Sequence, residues 1–339
     1  MQDDTFVLMR RLAPDLAEEI ESRALVLERI GALQPVGRRQ LAARLNMPER
    51  EVRTVANILR EHGLVTLDAA GMSLTEEASE ILPSARHFSR GLRSLTMLEI
   101  RLGQALDVDK VHVVPGDADS DEHVLSEVGR NAAAKLRSFL QSGSTLAVTG
   151  GTTMLEVARS IPHSTAMNVM VVPARGGVSG SLEVQANTIA SEIAKNLGGH
   201  HRLMHLPDLM DEQSLHEMRR LPEIDEAITL LERADVVLHG IGRADDTVRR
   251  RQLPQAVAME VERKGGVAEA FGCYFDREGK LIYTASTVAH HLGSLKPKCA
   301  LIAAAAGKQK AQAIVAVMKN RRHAMLVTDE GAARAILGA

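Results

Sequence analysis

The sequence contains no tryptophan, two tyrosines and five phenylalanines in 339 residues. So few rings leave no aromatic platform on which unpaired bases could stack, which argues against single-stranded nucleic acid as a partner. Cysteine is almost as scarce. Cys273 and Cys299 form neither a disulfide framework nor a metal-binding spacing, and both sit in apolar context, where a core role is expected. No apolar run approaches the ~18 residues that a membrane-spanning helix needs. The opening MQDDTFVLMRR lacks the pattern of a secretory signal. A soluble, cytoplasmic protein without a membrane partner is therefore expected. Excess charge is missing too: 41 basic residues oppose 43 acidic ones, for a net charge of -2. The whole molecule is no polycation, so any contact with DNA must come from a local patch.

What is present suggests two domains, with residues 1–90 differing in texture from 91–339. Residues 14–32 have a helical pattern, and 38–45 predict a second, short helix. Asn46 and Met47 make a turn, and Pro48 suits the leading edge of a third helix that runs to about His62, with Gly63 as its stop. Two short alternating segments around Asp68–Gly71 predict a hairpin, the wing of a winged helix-turn-helix. Residues 75–106 are helical again. Beyond them, apolar runs at 111–115, 145–150, 168–174, 202–207, 235–242, 299–307 and 324–329 alternate with helical stretches. Strands apolar on both faces, separated by helices, imply a doubly wound, mostly parallel α/β sheet.

The third helix places Arg50, Arg53, Thr54 and Asn57 on one side by their i, i+3, i+4, i+7 spacing. Val52, Val55, Ala56 and Leu59 fall largely on another. Arginine can bond guanine at O6 and N7 together, asparagine can do so at adenine N6 and N7, and threonine offers a methyl or a hydroxyl. Within residues 37–60, Arg38, Arg39, Arg44, Arg50, Arg53 and Arg60 face only Glu49 and Glu51. Arg38 and Arg39 open the second helix, whose N-terminal amides also attract phosphate. Double-stranded DNA is the expected partner; an ordinary solvated face of a protein-docking module is the blander reading.

Two loops after apolar runs suit an anion. In Thr149-Gly150-Gly151-Thr152-Thr153, adjacent glycines let the backbone approach a ligand, and free amides at the start of the next helix favour phosphate. The loop matches neither the Walker A pattern nor G-x-G-x-x-G, and on its own it could be a tight connection. In Gly307-Lys308-Gln309-Lys310, lysines open a helix, where the helix dipole disfavours them and a bound phosphate would offset that cost. Two solvated lysines are the alternative. Arg175, after another strand, and the run Arg249-Arg250-Arg251 add bidentate donors. Glu269 is a carboxylate in an apolar stretch, able to accept from sugar hydroxyls or to face water from an edge strand. The pairs His200-His201 and His290-His291 lack metal-ligand spacing. No cofactor is expected.

Taken in order, LQPVGRR before the recognition helix, VHVVPG at 111–116, TGGTTM at 149–154, GIGRADD at 240–246, GCYFD at 272–276 and AGKQK at 306–310 resemble the SorC family of transcription regulators over essentially the whole chain. The resemblance is strongest to its members that govern central glycolytic genes. It implies a winged helix domain joined to a sugar-phosphate domain of the glucosamine-6-phosphate deaminase type. It also implies repression relieved by fructose 1,6-bisphosphate, with dimers pairing into tetramers on the operator. By position, one phosphate would rest on Gly150, Gly151, Thr152, Thr153 and Lys310. Arg175 and Arg250 would hold the other, with Gln185 and Glu269 near the sugar; Arg249 or Arg251 could replace Arg250 through a one-residue slip.

A rival reading is an isomerase or deaminase carrying a DNA module. The related deaminases follow Gly-Ile-Gly with Asp-Gly-His, whose histidine opens the sugar ring. Here Gly240-Ile241-Gly242 continues as Arg243-Ala244-Asp245-Asp246 and that histidine is missing. Proton transfer at the ring needs a placed acid or base, so a receptor descended from an enzyme is expected, not a catalyst.

Overall fold

The computed structural model describes residues 9, 12–45, 47–92, 95–163, 167–176, 181–207, 210–284, 295–320 and 323–338. The chain divides into two compact units, Met1–Leu98 and Glu99–Ala339. Asn46 of the expected turn and the His290-His291 pair lie outside the described residues.

The first unit contains α1 (Pro14–Leu33), α2 (Arg38–Leu45) and α3 (Glu49–Glu61), followed by β1 (Val65–Leu67), β2 (Met72–Leu74) and α4 (Glu76–Leu92). Its core joins Val26, Leu27 and Ile30 of α1 to Leu41 of α2, Val52, Val55 and Leu59 of α3, and Val65 and Met72 of the hairpin. Pro48, expected at the leading edge of α3, is its N-cap, with the helix beginning at Glu49. Gly63 ends it with φ 73, a conformation cheap for glycine alone. The hairpin pairs Val65 with Leu74 and Leu67 with Met72. Its turn is closed by Asp68, whose Oδ1 accepts from the amides of Ala70 (2.8 Å) and Gly71 (3.0 Å). Val36 exchanges two backbone bonds with Met72, at 3.0 and 2.9 Å. The residue leading into α2 is thus tied to the wing, which fixes how wing and recognition helix sit relative to each other.

The next helix, α5 (Leu95–Leu106), leads into the second unit. Seven parallel strands there run in the order β3-β13-β12-β7-β4-β5-β6. They are β3 (Val111–Val114), β4 (Thr145–Val148), β5 (Met170–Pro173), β6 (His200–His201), β7 (Val236–Gly240), β12 (Ala300–Ala304) and β13 (Met325–Asp329). The helices of this unit are α6 (Glu122–Leu136), α7 (Thr152–Ser160), α8 (Ala186–Leu197), α9 (Glu212–Met218), α10 (Pro222–Glu232), α11 (Ala244–Arg250), α12 (Gln255–Arg263), α13 (Ala311–Asn320) and α14 (Glu330–Leu337). All five residues of β13 and four of the five in β7 are buried, as strands covered on both faces should be. After β4 the chain builds outward through β5 to β6, then returns to lay β7 on the other side of β4. Loops leaving β4 and β7 therefore diverge, and a crevice opens at that switch point beyond the strand ends.

Two expectations are corrected. Residues 202–207 are not a strand. Pairing is confined to His200–His201 on the outer edge, and Arg202 makes a last bond to Val171 O (3.1 Å). Met204 and Leu206 are buried nonetheless. Met204 is held by the Asn187 side chain, which accepts from its amide (2.9 Å) and donates to its carbonyl (3.1 Å). The apolar pattern reported burial there, not pairing. The sequence reading also lacks a second sheet, antiparallel, in the order β11-β10-β9-β8. It comprises β8 (Gly242–Arg243), β9 (Ala268–Ala270), β10 (Cys273–Phe275) and β11 (Leu281–Thr284). Its strands are two to four residues long, too short to show alternation. Cys273 is buried there, and desolvation pushes its thiol up to about 11, so it behaves as an inert core residue.

Candidate functional site

On α3, Val52, Val55, Ala56 and Leu59 are buried, while Arg50, Arg53 and Thr54 are exposed and Asn57 is half-buried. The polar face read from the spacing is thus a real surface. The Thr54 hydroxyl donates to Arg50 O (3.0 Å), which leaves its methyl group outward and its oxygen able to accept. At the start of α2, Arg39 lies 3.5 Å from Glu49 but its side chain is 92% exposed, too solvated for that pairing to hold it from a phosphate. Arg38 beside it is half-buried.

In the second unit, parallel pairing brings the ends of β4, β5, β7, β12 and β13 to one edge. After β4, the Thr149 amide donates to Leu238 O (3.1 Å) and its Oγ1 accepts from the Gly240 amide (3.1 Å). This stitches the Gly-Gly loop to the end of β7. Gly150 then passes so close to a neighbouring segment that a Cβ would lie 2.4 Å from Val184 O and 3.1 Å from the Ala186 amide. Gly150→Ala should accordingly displace that segment and lower the melting temperature by several degrees, since overpacking typically costs 1–3 kcal/mol. A variant that melts like the wild type would show the approach to be looser than drawn.

The Gly151 amide is not free, contrary to expectation: it donates to Val184 O (2.9 Å). The amides that intrahelical bonding leaves over are those of Thr152, Thr153 and Met154. The first such bond in α7 is from the Leu155 amide to Gly151 O (3.0 Å). Thr152 is exposed and Thr153 buried. Gln185, the residue before α8, lies beside Gly150, and its Nε2 is buried without a hydrogen-bond partner. An orphan donor of that kind costs about 1–3 kcal/mol, which makes Gln185 a candidate ligand contact.

The 307–310 loop is also built differently from expectation. Its amides point at carboxylates: Gly307 N–H donates to both oxygens of Asp329 (3.0 Å each), Lys308 N–H to Asp117 (3.3 Å) and Gln309 N–H to Asp119 (2.8 Å). Residues Lys308–Lys310 form a 3-10 turn, and α13 proper begins at Ala311. Acidic side chains, not a ligand, answer the dipole cost of the lysines. Asp329 also accepts from Ala118 (2.7 Å) and Ala332 (3.1 Å). Burial nevertheless raises its carboxyl above the usual range, with Asp117 adding to the rise. What the loop contributes is the Lys310 side chain. Burial pulls that ammonium below its ordinary range, and the Arg250 guanidinium pushes it further; Asp119, Asp329 and Asp246 oppose the shift. Lys310 and Arg250 are thus near enough for their charges to interact, with these carboxylates around them, and a pair of like cations of this kind suits an anion.

Of the three consecutive arginines, Arg249 and Arg250 point to different surroundings. A methyl group at Gly242 would stand 3.8 Å from Arg250 Nη2 and 3.6 Å from Glu269 Oε2, so both side chains reach the same stretch of β8. Arg249 turns away and pairs with Asp246 and, at 3.9 Å, Asp245. Arg175 and Glu269 are buried, at 3% and 9% exposure, and bonded to each other (Nη1 to Oε1, 3.1 Å). Glu269 also accepts from the Gly272 amide (2.6 Å). Being on β9, between β8 and β10, it is an interior residue and not a water-facing edge one. Among the described residues, no cluster of His, Cys, Asp and Glu could hold a metal ion.

Comparison with known proteins decides the family. Residues 92–338 match the Sugar-bind domain family, a sugar-binding domain, and residues 20–88 match the CggR N-terminal DNA binding domain. The chain belongs to the SorC family of transcription regulators. It is 36% identical to the central glycolytic genes regulator of Priestia megaterium, over 97% of both chains. It is 34% identical to that of Bacillus subtilis, with the same coverage. A crystal structure assigned to the SorC family, from Enterococcus faecalis, superposes with a TM-score of 0.66 at 36% identity, covering 71% of this chain and 99% of that one. This SorC-family chain is a sugar-responsive, DNA-binding regulator and not an enzyme.

The site's chemistry agrees with that class. Arg243, after Gly-Ile-Gly, is bidentate on Asp245, with Nη2–Oδ2 at 2.6 Å and Nε–Oδ1 at 3.1 Å. The histidine before that motif, His239, is fully buried, bonded to His323 (2.9 Å) and packed on Phe271. Burial holds its ring well below the ordinary range and hence neutral, with His323 adding to the effect. Sequence reasoning missed Asp117, Asp119 and Asp329 as organisers of the lysine loop. Asp329, at a strand end just before a helix, carries the signal of an N-cap and could have been found. The other two act through contacts some 190 residues away in sequence.

Proposed function

We propose that this regulator represses central glycolytic genes and leaves its operator on binding fructose 1,6-bisphosphate. The observation that carries the effector reading is that Thr149 stitches the Gly-Gly loop to the end of β7, next to the β8 stretch that Arg250 reaches, with Lys310 near enough to Arg250 for their charges to interact and the Gln185 donor beside Gly150. One phosphate would take Thr152, Thr153 and Lys310 in the neighbourhood of Gly150 and Gly151; Arg250 and Arg175 would take the other, and Gln185 and Glu269 the sugar hydroxyls. Relatives of similar length named as central glycolytic genes regulators support the choice of genes. On DNA, Arg50, Arg53, Thr54 and Asn57 would enter the major groove, with Arg38 and Arg39 on phosphates. Helix-turn-helix dimers match two half-sites about one helical turn apart, and we expect dimers here that pair into tetramers. A cytoplasmic location follows from this role.

Release works by linkage: the sugar shifts operator affinity only if it binds two conformations unequally. A bisphosphate spanning separate strand ends would draw them together and alter a subunit interface. Titration of labelled operator with fructose 1,6-bisphosphate tests the reading; an operator complex indifferent to it, but released by another glycolytic phosphate, would refute the effector. Arg53→Ala should weaken operator binding by about 1–3 kcal/mol and relax sequence preference at one position. Its ligand-induced thermal shift should stay intact. Undiminished sequence preference in that variant would remove Arg53 as a base reader.

A further inference from the structure

The proposed sugar-phosphate contacts use no residue of GIGRADD, yet its arginine is firmly held. Arg243 sits on β8 and reaches in two directions. Nε and Nη2 grip both oxygens of Asp245, at 3.1 and 2.6 Å, while Nη1 donates to Gln309 Oε1 at 2.8 Å. Asp245 lies in the first turn of α11, the helix whose last residue is Arg250. Gln309 immediately precedes Lys310, and its amide is pinned by Asp119 (2.8 Å). One planar guanidinium therefore spans the two segments that carry the two cations of the effector site. Those segments come from different crossovers, one after β7 and the other after β12.

The arrangement answers a physical problem. Lys310 and Arg250 carry like charges, so the two segments that hold them gain from a tie besides the carboxylates around them. Arg243 has its own charge compensated by Asp245 and by Asp246 at 3.5 Å, so it can tie the loops without adding to the repulsion. A lysine could not do this: its ammonium is a point charge, whereas the guanidinium fork holds a carboxylate with one edge and has a further N–H for an amide oxygen.

We propose that Arg243 is a positioning residue of the effector site, a latch that holds Lys310 and Arg250 at the spacing a bisphosphate bridges, acting through Gln309 and Asp245 without touching the ligand. This rests on the reading of these strand-end loops as a fructose 1,6-bisphosphate site. It places the specificity for a doubly charged sugar partly in a contact outside the binding shell: a ligand with one phosphate, needing only one cationic loop, should depend on the latch less.

The test is calorimetric titration of the full-length protein with fructose 1,6-bisphosphate and with fructose 6-phosphate. The variants are Arg243→Ala, Gln309→Ala, their double mutant and Arg243→Lys. Each single alanine should weaken bisphosphate binding about tenfold, the scale of one coupled contact. The double mutant should lose little more than either single, and lysine should not restore affinity. Monophosphate binding should change by less than about threefold, well under one contact's worth. Operator affinity without sugar and the melting temperature should hold steady. Unchanged bisphosphate affinity in Gln309→Ala, an exposed residue whose loss should not disturb folding, would overturn the latch. So would losses that multiply in the double mutant, or full rescue by lysine. A wild type that ignores fructose 1,6-bisphosphate would instead sink the effector reading; the latch would then be judged by the same cycle with inorganic pyrophosphate as the bridging probe.

Discussion

Glu269→Ala is expected to destabilise the second unit by on the order of 3 kcal/mol, because it takes the carboxylate from a buried guanidinium. Glu269 accepts from Arg175, which is 3% exposed, and also from the Gly272 amide at 2.6 Å. Alanine removes the Oε1 that accepts both bonds and leaves the buried guanidinium without its carboxylate. For a unit of this size the loss corresponds to a fall of roughly 6–12 °C in melting temperature. Glu269→Gln should fall between, since its amide oxygen still accepts but carries no charge. A calorimetric scan of the three proteins checks this. If alanine melts within about 2 °C of the wild type, less than 1 kcal/mol is involved and the pair is not the support described here. Because the same carboxylate faces the proposed sugar site, the prediction also separates roles: stability should report the Arg175 contact, and residual sugar affinity in Glu269→Gln should report hydroxyl recognition.

The second large effect concerns Lys310→Ala. Its ammonium is the one the 307–310 loop offers the proposed site, and burial together with Arg250 already holds it below its ordinary range. Removing it takes a charge-assisted contact from the ligand, relieves the repulsion from Arg250 and forgoes the attraction of Asp119, Asp329 and Asp246, which offset each other. The protein without sugar should therefore be as stable as the wild type or slightly more so. Affinity for the bisphosphate should fall by about 10²-fold, from a hydrogen-bonded charge contact worth roughly 2–3 kcal/mol. Operator binding without sugar should be unchanged, and release by sugar should need correspondingly more ligand. Operator titrations at several sugar concentrations, with thermal scans of the same samples, supply both readouts. A variant released at wild-type sugar concentrations would remove Lys310 from the site.

The contrast between the two variants reflects what each loop is built to do. Arg175 and Glu269 neutralise each other, so either loss is a structural injury. Lys310 and Arg250 are like charges, so losing one costs function and not stability. That division is typical of ligand sites, where groups are arranged for a partner and not for each other.

Much of this was open to a reader of the sequence. Periodicity fixed α2 and α3 to within a residue, because a short amphipathic helix ending at glycine has few other ways to fold. Six of the seven strands fell on continuous apolar runs, since a parallel sheet buries both faces and tolerates little else. The local run of arginines with Asn57 and Thr54 marked the polar face of α3 for the same reason: helical spacing alone puts them together. Candidate anion loops were legible as glycines and cations following strands.

What tertiary structure alone decided is which of those groups are spoken for. The Gly151 amide is taken by Val184, and the amides of the lysine loop by Asp117, Asp119 and Asp329. The turn of Arg249 to Asp246 and of Arg250 toward Lys310 is a matter of helix phase against a second sheet whose strands were too short to see. Local pattern follows from a few neighbouring residues, and so it can be read along the chain. Hydrogen-bond partnership is set by contacts 30 to more than 200 residues apart, such as Gly151 with Val184 or Ala118 with Asp329, and only the closed sheet brings those pairs within 3 Å.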